Sequence, residues 1–296
     1  MGTGRRSFGR MNPVSRVDWK QVHAAGFQVP PGVPLADLTE ELTLMLGDPD
    51  PVRRDATAYP TLATWVERGV YDDLLPALGD GMAAGLRTGL GLVEDDTVFR
   101  RSFSALVLAE CVLRDNNRPL VLGGKVLQWG DAIATWMLRE RDLRGYVPGK
   151  GWAHAIAHGA DALGTLAQSP HFGPPELTVV LDVVADVLCA RVDRLFSNGE
   201  PDRLAAATMY VLRRNQLPIE VLEPWVNRIT EHARRPARGD RRDPHLSTGN
   251  AQAFLRALYL QLALGNRPPA SRADLMLVLV GALRSTNEHY LEVRTS

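Results

Sequence analysis

The sequence predicts an all-α fold, an irregular α/α array of about eleven helices. Three observations support this prediction. Apolar residues recur at helical spacing through most of the 296 residues, and few stretches alternate as strands do. Clusters of Pro and Gly interrupt the chain, and the short connections between helices imply antiparallel neighbours. A composition of 45% hydrophobic and 23% charged residues is sufficient for a buried core.

The spacing of apolar residues assigns each element in order. Residues 1–30 read as a polar lead-in that ends in a Pro-rich stretch, and residues 31–296 as a single helical-array domain. We predict helices over 35–46, 50–68, 71–88, 95–115, 124–141, 151–168, 175–196, 202–214, 218–234, 248–264 and 271–284.

The breaks between these helices have local causes. Gly47 to Pro51 ends one helix and caps the next, and later prolines separate further pairs. The Asn198-Gly199 pair lacks alternating flanks and therefore predicts a helix end. The stretch Leu46–Asp55 resembles a HEAT-type repeat, but later helices do not reproduce it, so we predict an irregular HEAT-like array and not a regular solenoid.

Charge and cysteine content exclude several classes of protein. Lys plus Arg and Asp plus Glu both number 34, which argues against a nucleic-acid coat or a polybasic membrane anchor. Cys111 and Cys189 lie in apolar helical patterns and predict free thiols. The apolar segment 177–190 is short and contains two aspartates, so it predicts a buried helix and not a membrane span. We expect a cytoplasmic protein without nucleic-acid partners.

The stretch from Glu140 to Asp161 is the most informative part of the sequence. It crosses a glycine-rich turn and enters the helix predicted over 151–168. On that helix His154, His158 and Asp161 would share one face, because residues three and four apart are neighbours. Burying three titratable groups without partners would be costly, so they need an explanation.

Two explanations for this face compete. In the first, His154, His158 and Asp161 bind a divalent metal such as zinc, and Glu140 or Asp142 completes the shell or acts as base toward a bound water. In the second, the histidines are neutral and structural, and Arg144 pairs with a nearby aspartate. The metalloprotease pattern is absent, because no Glu follows His154.

The glycine-rich turn also permits anion binding. The N–H groups near Trp152 and Ala153, flanked by Arg144 and Lys150, could bind a phosphate or carboxylate, with Trp152 as a wall. A Walker A or dinucleotide fingerprint is absent. The Arg-rich segment 234–247 reads as a solvated loop, with an anion-docking site as the alternative. Asn250 and Arg256 do not share a helix face, so one of them should point inward.

Five stretches of the sequence match a known family pattern: Leu46–Pro51 with Arg54-Asp55 and Tyr59, Val98–Leu106 with Leu108, Glu140–Tyr146, Gly151–Asp161, and Asn250 with Phe254–Tyr259. On these stretches the chain resembles an uncharacterised bacterial helical family, domain of unknown function 2785. The resemblance covers roughly residues 35–265, implies an all-helical fold and marks the same central residues, but it implies no substrate. Segment 234–247 departs from the family pattern.

Two functions are consistent with these residues. The first is metal-assisted hydrolysis of a small anionic molecule, with Glu140, Asp142 and Arg144 as catalytic residues, Lys150 and Trp152 binding substrate, and a metal at His154, His158 and Asp161. The second is a non-catalytic scaffold for a protein partner, in which the same residues hold helices together.

Overall fold

The computed structural model describes residues 17–234, 243 and 245–291. They form an all-α fold with one two-stranded hairpin. The helices are α1 (Trp19–Ala24), α2 (Leu35–Met45), α3 (Pro51–Arg53), α4 (Tyr59–Glu67), α5 (Leu75–Gly85), α6 (Thr97–Asn117), α7 (Gly123–Arg139), α8 (Ala155–Ala167), α9 (Pro174–Cys189), α10 (Glu200–Arg213), α11 (Ile219–Arg234), α12 (His245–Leu264), α13 (Arg272–Thr286) and α14 (Glu288–Leu291). A π-helical turn, Arg54–Ala58, joins α3 to α4, and a 3-10 turn, Asp72–Leu74, precedes α5.

Most of the helices form two rows, which are the α/α array that the sequence predicts. In the first row α6, α8, α10 and α12 pack side by side in this order. In the second row α5, α7, α9, α11 and α13 follow one another in the same way. Successive helices of the chain therefore alternate between rows. Helix α8 is central, since it contacts α6 and α10 in its own row and α7 and α9 in the other.

The buried apolar side chains of both rows form one core cluster. Three tryptophans, Trp65, Trp129 and Trp136, are among its largest fully buried members. Helix α8 contributes small residues such as Ala157, Gly159 and Ala160, which let its neighbours approach closely. No described helix combines the length and the apolar character needed to cross a membrane.

The eleven predicted helix positions are confirmed, with three corrections, and the short helix α14 was not predicted. The helix predicted over 151–168 begins at Ala155, because the glycines before it form a hairpin. The helix predicted to end at 196 ends at Cys189. The predicted lead-in contains helix α1, whose Trp19 and Val22 are buried in the core. This helix is six residues long, too short for a periodic apolar pattern.

The hairpin consists of β1 (Tyr146–Val147) and β2 (Gly151–Trp152), paired antiparallel. Gly149 and Gly151 have φ of +75° and +79°, a region that residues with a Cβ rarely adopt. A Cβ on Gly145 would clash with the side chain of Asn198, so a larger residue there would require Asn198 to move. The hairpin places the predicted site residues directly before α8.

Candidate functional site

Glu140 lies at the end of α7 and is paired with Arg101 of α6. Both side chains are fully buried, and Nε and Nη2 of Arg101 donate to the carboxylate at 2.6 and 2.8 Å. The indole of Trp136 and the backbone N–H groups of Arg141 and Asp142 donate to the same carboxylate. With five donors, Glu140 is held firmly in the protein interior and serves to join α6 to α7.

Asp142, Arg144 and Lys150 also have protein partners. Arg144 forms a bidentate pair with the buried Asp142, at 2.8 Å from Nε and 2.6 Å from Nη2, and this pairing raises the pKa of the Arg144 guanidinium. The Lys150 ammonium lies 2.7 Å from Oδ1 of Asp96, in a half-exposed pair. Each of these three side chains, which we predicted to act in catalysis or in anion binding, is therefore neutralised by an opposite charge of the protein.

A buried arginine holds the hairpin turn from the protein interior. The side chain of Arg54 is fully buried and donates to the carbonyl oxygens of Asp48 and Lys150 at 2.7 Å each. Its guanidinium also pairs with Asp55 and lies 4.0 Å from the ring centroid of Phe99. Burial lowers the pKa of Arg54, and the carboxylates around it act in the opposite direction.

His154 precedes α8 and is not a residue of this helix, which corrects the shared-face prediction. It caps α8 in the left-handed conformation, with φ of +47° and ψ of +37°. The turn still brings the two histidines together, since the His154 and His158 ring centroids are 5.7 Å apart and the rings are nearly perpendicular. The two side chains are therefore close together, as predicted. The backbone at His154 is left-handed, however, and not part of the helix.

Both histidine rings are more than nine-tenths buried and keep one nitrogen without a partner. These atoms are Nε2 of His154 and Nδ1 of His158. The backbone of Asn198 beside His154 and the backbone of Ser102 beside His158 act to raise the pKa of each ring, against the effect of burial. A neutral imidazole has one N–H donor and one acceptor nitrogen, and we assign the acceptor role to the unpartnered nitrogen of each ring.

Burial lowers the pKa of His154 to about 4 and that of His158 to about 3. The positive charge of Arg203 acts in the same direction on both rings. Near neutral pH both rings are therefore neutral, and each has a buried lone pair that no donor among the described residues contacts.

Asp161 points to the next helix of the row and pairs with Arg203 of α10. Burial raises the pKa of Asp161, and the Arg203 charge opposes that shift. Within the described ranges, no three His, Cys, Asp or Glu side chains form a group that could hold a metal ion. The structure therefore gives no support to a three-residue metal centre at His154, His158 and Asp161.

Two aromatic side chains flank the histidines on the exposed side. The Trp152 indole stacks on the His154 ring, with centroids 4.2 Å apart, and Tyr146 meets Trp152 edge-on at 5.0 Å. Trp152 is 42% exposed. We name the group of Trp152, His154, His158, Asp161 and Arg203 the histidine site.

The backbone N–H groups of Ala153 and His154 are already used in the structure. Ala153 donates to the carbonyl oxygen of Gly145 at 2.8 Å, and His154 donates to that of Arg144 at 3.1 Å. These two N–H groups, which we predicted could bind an anion, are therefore engaged within the hairpin. The prediction for segment 234–247 lies almost entirely outside the described residues.

A comparison with protein families matches residues 86–260 to the family described as "Protein of unknown function (DUF2785)". The match covers more than half of the chain. The chain belongs to this family. No curated protein and no solved structure matches it. The DUF2785 match includes the hairpin and the histidine site, whereas the resembling stretch Leu46–Tyr59 lies before it.

Three residues that form ion pairs with the predicted site residues of this DUF2785 protein were missed in the sequence. Arg101, Asp96 and Arg203 were not singled out, although they pair with Glu140, Lys150 and Asp161. They lie 39 to 54 positions along the chain from their partners, so no local spacing connects the members of a pair. One related prediction is confirmed, since Asn250 is buried and accepts from the Phe196 N–H while Arg256 is exposed.

Proposed function

We propose that this DUF2785 protein binds a small molecule at the histidine site, and that the ligand donates hydrogen bonds to His154 and His158. One observation supports this proposal above all: two adjacent buried rings each keep an unpartnered nitrogen. A buried polar atom without a partner costs about 1–3 kcal/mol. A bound ligand that supplies a donor would remove that cost, and this gain favours its binding.

The low pKa of both rings favours recognition over proton transfer. A general base works best when its pKa lies near the working pH. Rings with a pKa of about 4 and about 3 accept hydrogen bonds at neutral pH but are weak bases. We therefore assign Glu140, Asp142 and Arg144, which are paired internally, to the support of the site and not to catalysis.

The surroundings of the rings favour a ligand with ammonium or hydroxyl groups. Asp161 on α8 and Glu110 on the neighbouring α6, which accepts from the Tyr59 hydroxyl at 2.9 Å, are acceptors on these two helices. The exposed face of Trp152 can stack on a planar group or contact a cation. The anionic substrate predicted from Arg144 and Lys150 is less favoured, because both charges are already compensated.

A divalent metal such as zinc is the second form of this proposal. Histidine ligands commonly donate their other N–H to a carbonyl oxygen, and the backbone of Asn198 and of Ser102 favours an N–H on each ring. In this form the two lone pairs would be part of the coordination sphere, and water or substrate would supply the remaining ligands.

The experiment compares wild type with His158→Leu, and uses His289→Leu, an exposed histidine outside the site, as the matched control. Three probes represent the ligand classes: spermidine for ammonium, glucose for hydroxyl and Zn²⁺ for metal. We expect at least one probe to raise Tm and to shift the imidazole ¹⁵N resonances of His154 and His158. The effect should be absent in His158→Leu and retained in His289→Leu.

If none of the probes moved these resonances, the histidines would be structural. The alternative function, a HEAT-like scaffold for a protein partner, would then be favoured. In such a scaffold these residues would hold helices together, and the internal ion pairs of Glu140, Asp142 and Arg144 are consistent with that role. His158→Leu would then change unfolding stability without affecting any ligand.

We retain the cytoplasm as the proposed location. Both cysteines are free in the structure, as the sequence predicts. A chain whose thiols are unpaired fits a reducing compartment.

A further inference from the structure

A cavity lined by none of the histidine-site residues lies between the two rows and the loops at one end. Its volume is about 950 Å³, within the range of small-molecule sites. The walls come from the C-terminal end of α7, the loop before α6 and the segment that follows α9. The apolar part of the lining includes the buried Met137, Ile156, Val187 and Phe196 and the half-exposed Val93 and Leu138.

Three arginines line the same cavity, and we name it the arginine cavity after them. Arg139, Arg141 and Arg191 are exposed, and none has an ion-pair partner in the part of the chain that the structure describes. Unpaired arginines beside an apolar surface are suited to bind a carboxylate or phosphate, because each guanidinium presents a planar set of donors.

The carboxylates of the lining do not neutralise these charges. Glu140 is enclosed by Arg101 in the interior, and Asp186 pairs with Arg228 of α11. Asp193 is the remaining acidic side chain of the lining. Three guanidinium groups thus face one free carboxylate, and the cavity keeps an excess of positive charge.

We propose that the arginine cavity binds an organic anion with an alkyl chain, such as a free long-chain carboxylate. The apolar lining would take the chain, and the three arginines would hold the head group. Charge complementarity and the apolar lining select this occupant together, since a small inorganic anion would leave the apolar surface uncovered. This site is separate from the histidine site, and its ligand has the opposite charge preference.

The test uses the full chain and 11-(dansylamino)undecanoate, a fluorescent carboxylate, as the probe. We expect saturable binding with blue-shifted emission, displaced by dodecanoate but not by acetate or dodecanol. Arg139→Gln/Arg141→Gln/Arg191→Gln should weaken binding about tenfold or more, since one charge-assisted hydrogen bond alone accounts for that factor. The control Lys20→Gln/Arg267→Gln/Arg284→Gln removes the same charge from exposed residues outside the lining and should bind like wild type.

A second pair of variants tests the apolar part without disturbing the core. Val93 and Leu138 are 54% and 49% exposed, so replacing them with Gln should preserve the fold, as circular dichroism would verify. We expect weaker binding of dodecanoate in Val93→Gln/Leu138→Gln. Equal losses in the arginine variant and its control would overturn the proposal, as would a folded wild type without saturable binding. Co-sedimentation with phosphatidylglycerol vesicles but no binding of monomeric dodecanoate would overturn it in favour of a membrane surface.

Discussion

At the scale of single residues, burial decides how much each ion pair of the central stretch contributes. Arg101 and Glu140 are both completely buried, and their charges satisfy one another. Lys150 and Asp96 form a pair of similar length in which both side chains are about 40% exposed. Water screens the exposed pair, whereas removing one member of the buried pair leaves an uncompensated charge in the core.

We therefore predict that Glu140→Ala is one of the most damaging single substitutions in this stretch. It should lower the free energy of unfolding by about 3–5 kcal/mol, because the Arg101 guanidinium would lose its buried counterion. Urea denaturation followed by circular dichroism measures this change. Asp96→Ala is the matched control and should cost less than about 1 kcal/mol. Similar losses for the two variants would contradict the distinction.

The histidines predict an acid-sensitive stability. In the unfolded chain each ring titrates near 6.5, whereas in the fold the pKa falls to about 4 for His154 and about 3 for His158. Below pH 6.5 the unfolded state binds more protons, so stability is lost as the pH falls from 6.5 toward 4. His158→Leu should flatten this acid limb in a series of denaturation curves, and His289→Leu should not. An unchanged limb in His158→Leu would show that carboxylates alone set it.

The candidate residues could be read from the sequence, but most of their partners could not; the pair of Arg144 with a nearby aspartate is the exception. Glu140, His154 and His158 stood out because polar side chains interrupt an apolar, glycine-rich stretch. Their environments depend on residues far away in the chain, such as Arg101, which is 39 positions from Glu140. Spacing along one helix says nothing about which charge the neighbouring helix presents. The prediction of a metal group therefore assigned Asp161 to the histidines, whereas it pairs with Arg203.

At the scale of elements, close packing between helices depends on individual glycines. Gly79 on α5 faces the second-row neighbour α7, and a Cβ there would lie 2.2 Å from the Trp129 ring. Gly81 is on the same helix, and a Cβ there would meet nothing within 4 Å. The two glycines thus share the helical backbone conformation and differ only in the room available for a Cβ.

We predict opposite effects of alanine at these two positions. Gly79→Ala should destabilise the protein by about 1–3 kcal/mol, because α5 or Trp129 must move. Gly81→Ala should stabilise it by about 0.4–1 kcal/mol through the lower entropy of the unfolded chain. Thermal and urea unfolding of both variants check the two signs. Stabilisation by both alanines would mean that the helices are less tightly packed than the structure indicates.

Helix positions were largely predictable because proline and glycine mark the breaks and the periodic segments are long. The hairpin was not, since strands of two residues are too short to show alternation. Its formation moved the start of α8 to Ala155 and changed the backbone conformation at His154. A helical pattern that continues through a glycine-rich turn gives no sign of this change.

At the scale of the whole molecule, the two rows share one core cluster that reaches from α1 to α13. The sequence predicts a single domain over residues 31–296; we propose that this domain also includes α1, and we expect it to unfold as one unit. The six tryptophans are spread along the chain, from Trp19 to Trp225. Tryptophan fluorescence and far-ultraviolet circular dichroism should therefore give coincident urea transitions. Two separated transitions would divide the array into independent folding units.

The buried Arg54 has a consequence for producing shorter versions of this protein. The family match begins at residue 86, but this guanidinium, 32 positions earlier, covers the rings of Phe99 and Phe103 and holds the Lys150 carbonyl. Expression of 86–260 alone would leave two phenylalanine faces and one hairpin carbonyl exposed to water. We expect such a fragment to aggregate in size-exclusion chromatography, whereas one that starts before α1 stays monodisperse. We thus expect the segment that must fold together to be longer than residues 86–260, which the family match covers.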